Sequence, residues 1–247
     1  MIQAKTVLAL FALLAVSAPW AAEAGALTGV WTACPKGPTI NECMVKSLEK
    51  LFPVMVKGIP AYDIPVLDPI EVGTVDYSTK DLKMVTKNAV MKGLFTNSKI
   101  VLVEADPDKF SLRVNMKVPE IVNEGEYELG GKLLMMPVSG AGHFTLKYTD
   151  VSLDLAFSGK GETRDGKTYM VLEDVKVVLV PGGLEAKVEN LFNGNKELSD
   201  NFHKFVNENW KEIFDDSKEK MWAALGQFFK KSFTKLYHDV PYEEIYS

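Results

Sequence analysis

Residues 198–236 read LSDNFHKFVNENWKEIFDDSKEKMWAALGQFFKKSFTKL. The stretch holds no proline and a single glycine, Gly226. Its apolar residues recur at helical spacing: Leu198, Phe202, Phe205, Val206, Trp210, Ile213, Phe214, Met221, Leu225, Phe228 and Phe233. This predicts one amphipathic helix of nearly forty residues, capped at Ser199, which at 1.5 Å per residue reaches roughly 55 Å. An aromatic stripe of that length is not covered by a few short strands. It needs a long, curved surface to lie against.

The preceding segment, from about Glu71 to Val188, supplies one. Ile100–Val103 and the alternating Leu112, Val114, Met116 and Val118 have β-type spacing. Phe144, Leu146, Tyr148, Val151, Leu153, Leu155 and Phe157 repeat every two residues, with one change of phase near Thr149–Asp150 that is compatible with a bulge in a long strand. Asp165–Gly166 reads as a hairpin turn before the return strand Tyr169–Leu179. Pro181–Gly182–Gly183 reads as another turn, and Gly130–Gly131, Gly140-x-Gly142 and Gly159-x-Gly161 as turns or bulges. No strand–helix alternation appears, which argues against a nucleotide-binding parallel sheet. The expected class is α+β: a long C-terminal helix wrapped by a strongly curved antiparallel sheet.

Towards the N-terminus, Asn41 is positioned to cap a short helix carrying Met44, Leu48, Leu51, Phe52 and Met55, with Pro53 kinking or ending it. Gly58–Ile59–Pro60 stops it, and residues 61–72 read as extended connector. Cys34 and Cys43 are the two cysteines of the chain. They lie close together behind a segment with the three parts of a secretory signal. Lys5 gives the positive charge, Val7–Val16 the apolar run, and Ala22–Glu23–Ala24 the small residues of a cleavage site. The run is too short for a bilayer, which needs about 20 residues. Residues 1–24 are therefore expected to be a signal peptide and residues 25–247 a single extracellular domain. In that oxidising compartment Cys34 and Cys43 are expected to form a disulfide.

Composition narrows the function. With 47% hydrophobic and 25% charged residues, the chain has the apolar stock for one substantial core. A net charge of −5 without a basic stripe disfavours nucleic-acid binding. His143, His203 and His238 form no metal-ligand pair, and no Gly-x-Ser-x-Gly elbow occurs. The acidic residues Glu212, Asp215, Asp216 and Glu219 fall on the expected solvent face of the helix. No catalytic residue, metal site or cofactor is expected.

The order and spacing of short motifs along the chain resemble those of the insect juvenile-hormone-binding and takeout-like family. They are Cys34-Pro35 with Cys43, Gly58-Ile59-Pro60, Asp68-Pro69, Gly125-x-Tyr127-x-x-Gly130, Pro137-Val138-x-Gly140-x-Gly142, Leu191-Phe192-Asn193-Gly194 and Asn207-Glu208-Asn209-Trp210-Lys211-Glu212-Ile213. With one cysteine pair, the chain is closer to the takeout-like branch than to moth haemolymph carriers, which usually have a second disulfide. The resemblance implies secreted carriage of a small hydrophobic ligand: a juvenile-hormone-like terpenoid, a fatty acid or another lipid. It also implies a tubular lipid-binding fold with an apolar tunnel between helix and sheet.

Within that frame the tunnel-wall candidates are Leu48, Leu51 and Met55 on the first helix and Trp210, Phe214, Met221, Leu225 and Phe228 on the long one. Tyr127, Tyr148 or His143 would orient the ligand by a hydrogen bond. Each candidate serves equally well as plain core. The expected state is a monomer with a receptor or membrane as delivery partner. A signalling protein whose cavity is permanently filled is the alternative, and a lipid hydrolase or isomerase comes third.

Overall fold

Two long antiparallel strands, β4 (Ser111–Leu133) and β5 (Met136–Arg164), form the spine of the computed structural model, which describes residues 29–247. The signal-peptide reading of residues 1–24 lies outside them. Each spine strand is too long for one neighbour and takes two. β4 pairs with β3 (Lys99–Asp106) along its first half and with β2 (Leu82–Lys92) along its second. β5 pairs with β7 (Gly183–Val188) along its first half and with β6 (Lys167–Val180) along its second. β1 (Ile70–Asp76) adds to β2, completing a seven-stranded antiparallel sheet. The expected hairpin at Asp165–Gly166 joins β5 to β6.

Three helices complete the chain: α1 (Ile40–Met55), α2 (Lys196–Glu208) and α3 (Trp210–Asp239). α3 packs on β6 and also on β1, which lie at opposite ends of the strand order. A sheet whose two margins both reach one helix must curl around it. The apolar stripe read from the sequence thus finds its curved surface, and the α+β architecture stands as expected.

The single forty-residue helix does not. It is interrupted at Asn209, whose φ of −110° and ψ of 18° leave the helical region. The Asn209 side-chain amide donates to the Phe205 carbonyl at 2.8 Å, the local competition with backbone bonding that makes asparagine a poor interior residue. α3 alone is 30 residues long, about 45 Å at 1.5 Å per residue. The helix entry is also shifted. Asn195, not Ser199, caps α2 by accepting from the Leu198 N–H at 3.1 Å. Asn41 lies inside α1, and its side chain instead accepts from Ala105 N at 2.9 Å, tying the helix to β3.

Several glycines sit differently from the turn reading. Gly130–Gly131 lie within β4, and the β4–β5 turn is Leu134–Met135. Gly140 and Gly142 are interior to β5, where residues 189–191 cross. A Cβ would stand 3.0 Å from the Asn190 carbonyl at Gly140 and 2.8 Å from the Glu189 carbonyl at Gly142. They are glycine because another backbone passes there. Gly159, by contrast, lies at a register shift between β5 and β6, as a bulge would.

The phase change in β5 is real and has a counterpart. Asp150 has φ +50°, and the buried positions pass from Tyr148 to Val151, one residue more than alternation allows. β4 makes the same step from Val118 to Ile121, at Pro119–Glu120. Because both strands gain one residue at the same level, Val118 still faces Val151 and Ile121 faces Tyr148. The register survives while each strand changes the parity of its inward positions.

At the α1 end, Cys34 pairs with Tyr246 as a short parallel bridge. Cys34 N donates to the Ile245 carbonyl at 3.0 Å and Lys36 N to the Ser247 carbonyl at 2.8 Å. The Cys34–Cys43 disulfide joins this clasp to α1.

Candidate functional site

The space between sheet and helices is not one tunnel but two apolar cavities with a packed partition between them. The first, about 80 Å³, lies under α1. Met44, Leu48, Leu51 and Met55 of α1 face Leu112, Val114 and Met116 of β4 and Leu155 and Phe157 of β5, with Phe233 and Leu236 of α3 as floor. Trp31 and Ile245, from the terminal clasp, close its end. The second, about 140 Å³, lies at the α2 end. Tyr127 and Leu129 of β4, Phe144 and Tyr148 of β5, Phe202 and Val206 of α2, and Trp210, Phe214 and Met221 of α3 enclose it.

The partition can be read along one face of α3. Met221 lines the second cavity and Phe233 the first. They are separated by about 18 Å at 1.5 Å per residue. Leu225 and Phe229, between them at four-residue spacing, line neither cavity and are 1% and 0% exposed. Across from them Val118, Ile121, Val151 and Leu153 are equally buried. These are the residues flanking the paired phase change. The change of inward parity therefore coincides with the wall between the two cavities.

Of the wall residues expected from sequence, Leu48, Leu51 and Met55 fall on the first cavity and Tyr127, Tyr148, Trp210, Phe214 and Met221 on the second. Leu225 belongs to the partition. Phe228 faces an outer groove between α3 and the Pro65–Pro69 connector. His143 pairs with Glu126 on the spine and lines neither cavity. Trp31, Phe95, Tyr77 and Asn123 line cavities without having been expected to. Asn123 was hidden because the alternation Leu112–Val118 ends at the phase change, and its row resumes on odd positions.

Polar groups in the second cavity are few. The Tyr127 hydroxyl donates to the Glu189 carbonyl at 2.5 Å. Burial, with the nearby charge of Glu189 adding to it, pushes its pKa up to about 12. Burial alone takes Tyr77 to about 12. Tyr148 is also raised, by burial first and Tyr77 second, against a hydrogen bond from Asn123 that opposes the shift. All three hydroxyls remain protonated through neutral pH. Among the described residues no group of three His, Cys, Asp or Glu is placed to hold a metal ion, and no helix is long and apolar enough to cross a membrane.

α2 is fastened to the rim of this cavity by its own side chains. β7 is an edge strand, and its outward backbone groups need partners. Asn207 supplies them at Ala186, accepting from the N–H at 2.8 Å and donating to the carbonyl at 3.4 Å. One turn earlier, His203 Nε2 accepts from Val188 N at 3.0 Å.

The family described as haemolymph juvenile hormone binding protein matches residues 8–247 of this chain. The circadian clock-controlled protein daywake of Drosophila yakuba is 26% identical over 218 residues, covering 83% of this chain and 84% of that protein. Its Drosophila melanogaster counterpart is 26% identical over 219 residues, with the same coverage. The crystal structure of Epiphyas postvittana Takeout 1 superposes with a TM-score of 0.80 at 25% identity, covering 87% of this chain and 99% of that one.

Proposed function

This chain belongs to the haemolymph juvenile hormone binding protein family, and from that premise we propose that it is a secreted, non-enzymatic carrier of a small hydrophobic ligand. The observation that carries the reading is the pair of apolar cavities enclosed between sheet and helices. Binding sites of this kind are concave and mostly apolar, with a few polar groups that orient the ligand. Leu48, Leu51 and Met55 would hold it in the first cavity, and Tyr127, Tyr148, Trp210, Phe214 and Met221 in the second. Apolar burial contributes about 25 cal/mol per Å², so a hydrocarbon body needs no charged anchor.

At about 80 and 140 Å³, each cavity is near or below the roughly 150 Å³ space that admits benzene in an engineered protein. A longer ligand therefore has to displace Leu225 and Phe229, or enter one cavity and leave part of its length outside. Ligand class is tested by native mass spectrometry of the secreted protein, followed by organic extraction. A stoichiometric hydrophobic molecule that exchanges with added terpenoid or fatty acid is the expected result. Protein that takes up neither at micromolar concentration would sink the carrier reading.

A further inference from the structure

Among the described residues lining the second cavity, one fully buried side-chain polar atom has no hydrogen-bond partner: Asn123 Oδ1. Among the described residues the buried polar side chains are Ser47, Asn123 and Ser232. Ser47 donates to the Thr32 carbonyl at 3.2 Å and Ser232 to the Phe228 carbonyl at 2.8 Å. Asn123 is 7% exposed, and its Oδ1 has no partner. It stands on β4 between Met91 of β2 and Leu146 of β5, on the wall of the cavity. Three other polar side chains of this lining are engaged within the fold. Thr86 Oγ1 donates to the Val75 carbonyl at 3.4 Å, Tyr127 to Glu189, and Ser217 to the Ile213 carbonyl at 3.1 Å.

A buried carbonyl without a donor is destabilising, and an apolar side chain would fill this strand position without that cost. The unpaired atom is the acceptor, Oδ1. Burial among apolar neighbours makes a donor supplied there count for more than it would in water.

We infer that Asn123 makes the second cavity selective for ligands bearing a hydrogen-bond donor, an alcohol or a protonated acid, at one end of an apolar body. The inference rests on the carrier reading above. It separates alcohols from ethers and esters of the same shape, which offer only acceptors and leave Oδ1 unpaired. Recognition built on a buried polar group discriminates in this way, since the wrong ligand leaves the group without a partner.

The test uses the full mature chain and three probes of matched length: dodecan-1-ol, the isomeric ether 1-methoxyundecane and tridecane. Affinity is read by displacement of N-phenyl-1-naphthylamine. The alcohol is expected to bind about tenfold more tightly than the ether, the effect of one buried hydrogen bond. Asn123→Leu is expected to bring the alcohol down to the ether's affinity. Equal binding of alcohol and ether by the wild-type chain, or a preference for the ether, overturns the inference and leaves the carrier reading intact. A tenfold preference that survives in N123L also overturns it. Wild-type protein that binds no probe and no dye sinks both. The wild-type comparison stands whether or not N123L folds.

Discussion

Tyr127 and Phe229 show how differently two buried aromatic residues are used. The Tyr127 hydroxyl holds the Glu189 carbonyl where residues 189–191 cross β5, so its polar end serves the scaffold while its ring faces the second cavity. Tyr127→Phe is expected to lower stability by about 1–2 kcal/mol, since the carbonyl loses its donor. Urea denaturation measures this, and an unchanged midpoint would show that the bond contributes nothing. Phe229 has no polar role. Fully buried in the partition, it meets Phe95 at 5.9 Å and Phe233 at 6.3 Å between ring centroids. Phe229→Ala is expected to cost about 3–5 kcal/mol, the range for emptying a packed aromatic site. A loss below 1 kcal/mol would mean that the partition collapses readily or was never tightly packed.

At the scale of elements, Gly226 decides how closely α3 approaches the sheet. A Cβ there would stand 2.6 Å from the Val175 carbonyl of β6, and backbone cannot swing aside as a side chain does. Alanine is the better helix former by about 1 kcal/mol, so propensity alone predicts that Gly226→Ala stabilises. The contact predicts the opposite, a net loss of about 1–2 kcal/mol from overpacking. The direction of the shift in thermal midpoint separates the two. The glycine itself was visible in the sequence as the only one in the stripe, but the strand beside it was not. The same limit applies elsewhere. Periodicity made the aromatic stripe and the spine strands legible, because each follows from spacing within one segment. The break at Asn209 was not, since the stripe runs through it and only the local side-chain bond interrupts the helix. Leu225 and Phe228 are indistinguishable from Met221 by pattern. What assigns Leu225 to the partition is the height at which β4 and β5 change phase, and what assigns Phe228 to the outer groove is the Pro65–Pro69 connector beside that flank of α3.

For the whole molecule, the buried tyrosines set an upper pH limit. Tyr77 and Tyr127 are pushed up to about 12, and Tyr148, Tyr237, Tyr242 and Tyr246 are raised as well, in each case chiefly by burial. The unfolded chain releases these protons near pH 10 and the folded chain only later. Their contribution is therefore complete below about pH 10 and is lost as pH climbs toward 12. Urea midpoints should hold level from pH 8 to 9 and fall steeply by pH 11.5, with tyrosinate absorbance appearing together with unfolding. Absorbance rising well before unfolding would show these hydroxyls to be open to solvent. The paired extra residues at Pro119–Glu120 and Thr149–Asp150 have a consequence of another kind. On one side of that level even-numbered positions of β4 point inward, and on the other odd-numbered ones do. One strand pair thus carries two independent inventories of lining residues, divided at one level of the sheet that the chain crosses twice. Exchanging residues 120–149 between two relatives would replace the spine's share of the second chamber's lining and leave the spine residues of the first untouched, so the spine lets the two chambers diverge in evolution separately.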